Sequence, residues 1–137
     1  MIESAQEFIR LRISTDPDAY RRAAQEPAPE SVWEELVRDH AEMRQWVAQN
    51  KTVPESILAL LHNDPSADVR CTVARKRKLP KHLQAALATD PVASVRHALA
   101  HNSKLDSGIL LQLSEDAEEF VREAAIKRLQ KRQDGES

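Results

Sequence analysis

The dipeptide Val-Arg stands at Val69–Arg70, Val95–Arg96 and Val121–Arg122, a step of 26 residues each time, and Met43–Arg44 stands one step earlier. Such a period in a chain of 137 residues leaves few folds open, because it means that one supersecondary unit is copied along the chain. Other columns keep the same step. Leu61, Leu87 and Leu113 align, as do Ile57, Leu83 and Ile109, and Val47, Val73, Leu99 and Ala125. Val53, Leu79 and Leu105 form a further column, followed by Pro54, Pro80 and, as a departure, Asp106. Asp64-Pro65 and Asp90-Pro91 align, and Asp116-Ala117 replaces the third copy.

One unit reads PESILALLHNDPSADVRCTVARKRKL, from Pro54 to Leu79. Proline suits the first turn of a helix, where its missing N–H costs nothing. Ile57, Leu58 and Leu61 then share one helical face. Asp64-Pro65 stops that helix and starts the next, with Asp64 expected as N-cap and Pro65 at the first helical position. Val69 and Val73, one turn apart, supply the inner face of a second short helix. Isolated helices of ~10 residues are marginal in water. Each must be held by its neighbours, so the pattern predicts an all-α solenoid of about five two-helix repeats.

The expected boundaries are a degenerate N-terminal cap over 1–28, repeats over 29–53, 54–79 and 80–105, a C-terminal cap over 106–131, and a flexible tail over 132–137. The length suits one compact domain or one short array rather than two independent domains. Only two glycines, Gly108 and Gly135, leave almost no hairpin turns and argue against an all-β fold. Aromatic residues make up 4%, so the core is expected to consist of Leu, Val, Ile and Ala. Trp33 falls in an apolar column, and Trp46 falls where other units carry Thr72, Ala98 and Ala124. Core packing is the expectation for Trp33. For Trp46 the choice lies between filling the space of a shorter unit and anchoring a partner.

The unit at 54–79 and its neighbours resemble the bacterial leucine-rich repeat variant family over about residues 29–129, and more loosely the HEAT-like α-solenoids. That resemblance implies a right-handed superhelix in which a longer helix alternates with a shorter, sometimes 3₁₀, helix. Some members carry an iron–sulfur cluster on N-terminal cysteines. With Cys71 as its sole cysteine, this chain matches none of those ligands, and no cofactor is expected. The lone cysteine also excludes an internal disulfide.

Net charge is −2, unevenly spread. Residues 1–50 carry 6 basic and 10 acidic side chains, 51–105 carry 9 and 4, and 106–137 carry 5 and 8. The run Arg75-Lys76-Arg77-Lys78 lies at the turn between two units, where the matching turns are weaker, so the repeat alone does not require it. With Lys81, His97, His101 and Lys104 it forms the candidate partner-binding patch. His97 and His101 stand at i and i+4, a spacing compatible with metal, but without a third ligand they read as surface residues.

Asp64 with Arg70, Asp90 with Arg96, and Asp116 with Arg122 recur six residues apart. One reading is an anion-binding ladder. The other is that each arginine bonds the aspartate of its own or a neighbouring unit. A charge that recurs with the repeat serves the repeat, so the second is the expectation.

No Ser-His-Asp order, glycine-rich phosphate loop or HExxH pattern occurs, and no catalytic residue is expected. No apolar stretch approaches the ~18 residues of a membrane span. The N-terminus lacks the pattern of a signal peptide, so a soluble cytoplasmic protein is the expectation. The function expected is a non-enzymatic scaffold that binds another protein. A nucleic-acid-binding module using the basic centre is the alternative.

Overall fold

The computed structural model describes residues 1–135. All regular structure among them is helical, without strands, as the repeat pattern predicts. The chain divides into two compact units, one over residues 1–63 and one from Asp64 onward. The division falls between the two helices of the unit expected at 54–79.

The first unit holds α1 (Ala5–Ile13), α2 (Pro17–Gln25), α3 (Glu30–Asp39), a 3₁₀ turn (Ala41–Met43), α4 (Arg44–Gln49) and α5 (Glu55–Leu61). Ser4 caps α1 by accepting the Glu7 N–H at 3.0 Å, while the Glu7 carboxylate accepts the Glu3 N–H at 2.8 Å. Asp16 caps α2 by accepting the Asp18 N–H at 3.0 Å, and Pro17 stands just inside. The buried face of α1 is Ala5, Phe8 and Leu11, joined by Ile2, whereas Ile13 is exposed. Phe8 meets Trp33 edge-on, with ring centroids 5.4 Å apart, so Trp33 is core as expected. α1, α3 and α5 adjoin in sequence, and α2 packs on α4. The Glu30 carboxylate accepts a hydrogen bond from the Ser56 hydroxyl, joining α3 to α5.

Trp46 is half-buried beneath Arg12, whose guanidinium carbon lies 3.6 Å from the Trp46 ring centroid and 4.4 Å from that of Tyr20. The tryptophan therefore neither fills a core void nor stands free. It holds a cation in a partly desolvated setting.

The second unit holds α6 (Ala67–Ala74), α7 (Lys81–Leu87), α8 (Ala93–Ala100), α9 (Ser107–Leu113) and α10 (Glu119–Gln133). α6, α8 and α10 lie side by side as one layer, with α7 packed against α6 and α8, and α9 against α8 and α10. Val69 and Val73, Val95 and Leu99, and Val121 and Ala125 supply the buried positions of that layer. Seven or eight residues are too few for a helix to persist alone, so α6 to α9 owe their stability to this packing.

The helix starts differ from expectation. The N-cap of α6 is Ser66, not Asp64, and the helix begins at Ala67. Asp64 instead accepts the Ser66 N–H at 2.9 Å, turning the chain one step earlier. Asp90 and Asp116 do the same for the N–H groups of Val92 and Glu118, each at 2.9 Å. Pro54 and Pro80 likewise precede α5 and α7 in extended conformation, instead of occupying the first helical turn. At the other end α10 runs on to Gln133, two residues past the boundary expected at Lys131. Arg132 anchors that last turn by donating to the carbonyls of Leu105 at 2.8 Å and Ser103 at 3.1 Å. Of the expected tail, Glu136 and Ser137 lie outside the described residues.

Candidate functional site

The recurring arginines tie successive repeats together. Arg70 Nε donates to Asp90 Oδ2 at 2.8 Å and its Nη2 donates to Asp90 Oδ1 at 3.3 Å, while Nη1 donates to the Asp64 carbonyl at 2.7 Å. Arg96 repeats this with Asp116 at 2.8 and 3.2 Å and with the Asp90 carbonyl at 2.6 Å. Each guanidinium thus joins its own turn to the aspartate twenty residues on, a bidentate geometry that lysine cannot reproduce. Arg122 donates to the carbonyls of Asp116 at 2.8 Å and Ala117 at 3.0 Å. Burial alone would raise the Asp116 carboxyl, but the bonds from Arg96 and the Glu118 N–H, with the charges of Arg96 and Arg122, hold it below its ordinary value. Committed to these bonds, the ladder arginines offer little to a ligand.

A second ladder escaped the sequence reading. Asn50, fully buried, donates from Nδ2 to the carbonyls of Ala23 at 2.7 Å and Glu26 at 3.0 Å, and its Oδ1 accepts the Thr52 N–H at 2.8 Å. Asn102 repeats the arrangement with the carbonyls of Ala74 and Lys76 and the N–H of Lys104, all at 2.9 Å. The two asparagines are two periods apart, and Lys76 occupies the position between them. Its register was legible in the sequence, but the polar residue changes from one unit to the next.

Of the basic run, Arg75, Arg77 and Lys78 are exposed and Lys76 is half-buried. Burial pushes the Lys76 amine from 10.5 to about 8. An unfolded chain then retains a proton that the folded one has released between those values, so stability rises as pH climbs from about 8 toward 10.5. Lys76→Met is expected to abolish that rise, read from urea midpoints at about pH 7, 8.5 and 10. An unchanged slope in the variant would assign the effect to another group.

Lys81 faces the Asp106 carboxylate at 3.6 Å, which offsets its charge. Lys104 is exposed at the turn that Asn102 organises.

Of the expected patch, His97 and Arg75 lie close enough to His101 to act on its charge. Beside them is a recess of about 80 Å³ lined by His101, Ala124, Lys127, Arg128 and Lys131. His101 comes from the end of α8 and the other four from the facing stretch of α10. Arg128 Nη2 donates to the His101 carbonyl at 3.2 Å, bridging the two helices. His97 lies beside it, with Nε2 3.2 Å from that of His101, and the exposed Phe120 ring packs on His97 at 5.3 Å. Burial first, then the proximity of His97, Arg128, Arg75 and Lys127, holds the His101 imidazole below its ordinary value. Among the described residues no group of three metal-ligating side chains gathers here or elsewhere.

Arg75, His97 and His101 were expected in the patch, whereas Lys127, Arg128 and Lys131 were missed. A signal for them existed. Arg75, His101 and Lys127 are successive members of one 26-residue column, masked because arginine, histidine and lysine share a nitrogen base and not identity. Arg77, Lys78, Lys81 and Lys104 do not line the recess. Among the described residues, no helix is long and apolar enough to cross a membrane. Compared with family models, with curated proteins and with solved structures, the chain finds no match in any of the three.

Proposed function

We propose that the chain is a non-enzymatic scaffold, a right-handed α-solenoid of about five repeats, which binds another protein in the cytoplasm. The repeat pattern and the arginine ladder support the solenoid: the Arg70 and Arg96 rungs each link one repeat to the next through the same three groups. The handedness rests on the resemblance to the leucine-rich repeat variant family. In stacked helix pairs the layer with the closest helices is the concave one, and here α6, α8 and α10 form the closer layer. The half-buried, unpaired Cys71 suits a reducing compartment.

The observation that carries the binding function is the column Arg75, His101 and Lys127 across this layer. None of the three forms an ion pair among the described residues. Arg75 and Lys127, unpaired cations on either side of an imidazole held below its ordinary value, beside a ladder that neutralises its own, point to an acidic partner. A nucleic-acid reading has one observation in its favour, the exposed Phe120 ring on His97, since aromatic rings beside cations stack bases.

Fluorescence anisotropy against labelled acidic peptides and against DNA or RNA oligonucleotides, at about 50 and 200 mM salt, separates the two. Salt-sensitive binding of acidic peptides, lost in Arg75→Glu/Lys127→Glu, is the expected result. Tighter binding of an oligonucleotide of equal charge would replace the protein reading with the nucleic-acid one.

A further inference from the structure

We propose that the recess between α8 and α10 binds a phosphomonoester dianion, carried on a phosphorylated side chain of the protein partner. This deepens the scaffold reading and rests on it. Lys127, Arg128 and Lys131 project from consecutive turns of α10 toward the end of α8, where His101 closes the recess. Lys127 and Lys131 form no ion pair among the described residues, in contrast to Arg70 and Arg96 on the same layer. A lysine in the last turn complements the helix dipole by about 0.3–1 kcal/mol, which accounts for Lys131 alone. It does not account for Lys127 further back, or for the convergence on His101. Like charges held together without a counter-ion destabilise the fold, and a bound dianion reverses that term.

The size and surroundings select the ligand. A recess of about 80 Å³ has room for a few waters or one tetrahedral oxyanion. The cationic stretch of α10 is short, with exposed Glu119 and Glu123 before it and Asp134 after it. A phosphodiester strand continuing along the helix would meet those carboxylates, whereas a single phosphoryl group would not. A phosphomonoester carries about −1.5 to −2 charge at pH 7 and presents three acceptor oxygens, matching lysine ammonium and arginine N–H donors.

The test follows amide chemical shifts of the full chain titrated with inorganic phosphate, with sodium chloride adjusted to hold ionic strength constant. A phosphoserine peptide, its unphosphorylated twin and a short DNA oligonucleotide form the other arms. Saturable shifts confined to residues around 97–101 and 124–131 are expected with phosphate and with the phosphopeptide, but not with the twin. Lys127→Glu/Lys131→Glu weakens both by about tenfold or more, through loss of charge-assisted contacts. Both positions are exposed, so the variant keeps the wild-type fold, checked by its spectrum. Arg128 is left intact because it donates to the His101 carbonyl.

Absence of saturation, an undiminished response in the variant, or tighter binding of the oligonucleotide overturns the proposal. If phosphate and phosphopeptide fail while acidic peptides still bind, this inference falls alone. Failure of the acidic peptides as well removes the scaffold reading on which it rests.

Discussion

Asp90→Ala lowers the unfolding free energy by about 3–5 kcal/mol, the cost of leaving a buried charge without its partner. The Asp90 side chain is 6% exposed and that of Arg70 is 12% exposed, so water cannot fully take the place of the lost carboxylate. Two bonds from Arg70 and the Val92 N–H lose their acceptor at once. Arg70 still holds the Asp64 carbonyl, which keeps the guanidinium in place and away from solvent. Urea unfolding of the full chain measures the loss.

Two further variants establish the cause. Arg70→Met/Asp90→Leu removes both charges, and its stability is expected to return to within about 1–2 kcal/mol of the wild type. Arg122→Ala is expected to cost only about 1 kcal/mol, since that rung bonds carbonyls and has no aspartate of a following repeat. A loss below about 1 kcal/mol for Asp90→Ala would show that the ladder does not hold the repeats together.

Asn102→Ala costs about 3 kcal/mol, because two carbonyls and one N–H lose a side-chain partner inside the fold. Asn102 is 3% exposed, and the groups it serves lie at the ends of two successive repeats. Asn102→Asp separates the two halves of the amide. It keeps an acceptor for the Lys104 N–H but sets a carboxylate oxygen against the carbonyls of Ala74 and Lys76, so it is expected to be at least as damaging. Asn50→Ala should cost at least as much as Asn102→Ala, as the same three kinds of bond are lost together with one from the Thr52 hydroxyl at 2.6 Å. Urea midpoints give the energies, and faster exchange of the Lys104 amide locates the effect. A cost below about 0.5 kcal/mol would mean that water substitutes for the amide at both carbonyls.

Arg132 shows why the C-terminal boundary was placed too early. In sequence it belongs to a charged run that reads as a fraying tail. In the fold its guanidinium reaches the carbonyls that end the preceding turn, and α10 continues because those bonds hold it. Asp64 is the opposite case. Its recurrence marked the turn correctly, yet the helix starts at Ala67, because its carboxylate takes the Ser66 N–H in a separate turn. On α1, Ala5, Phe8 and Leu11 form the buried face with Ile2 while Ile13 stays exposed, and the choice follows from where α3 presents Trp33.

The sequence by itself determined that the described chain is helical, where its helices break to within a few residues, and that Ile57, Leu58, Leu61, Val69 and Val73 turn inward. Those properties are local: a 3.6-residue turn converts spacing directly into a face, and proline with aspartate ends it within a few residues. Only the tertiary structure decided which cations are used up. Arg70 and Arg96 reach an aspartate twenty residues on and are neutralised, while Lys127 and Lys131 come to rest beside His101 without a counter-charge among the described residues. Charge pairing depends on distances of a few ångströms between helices far apart in sequence, and no local period carries that information.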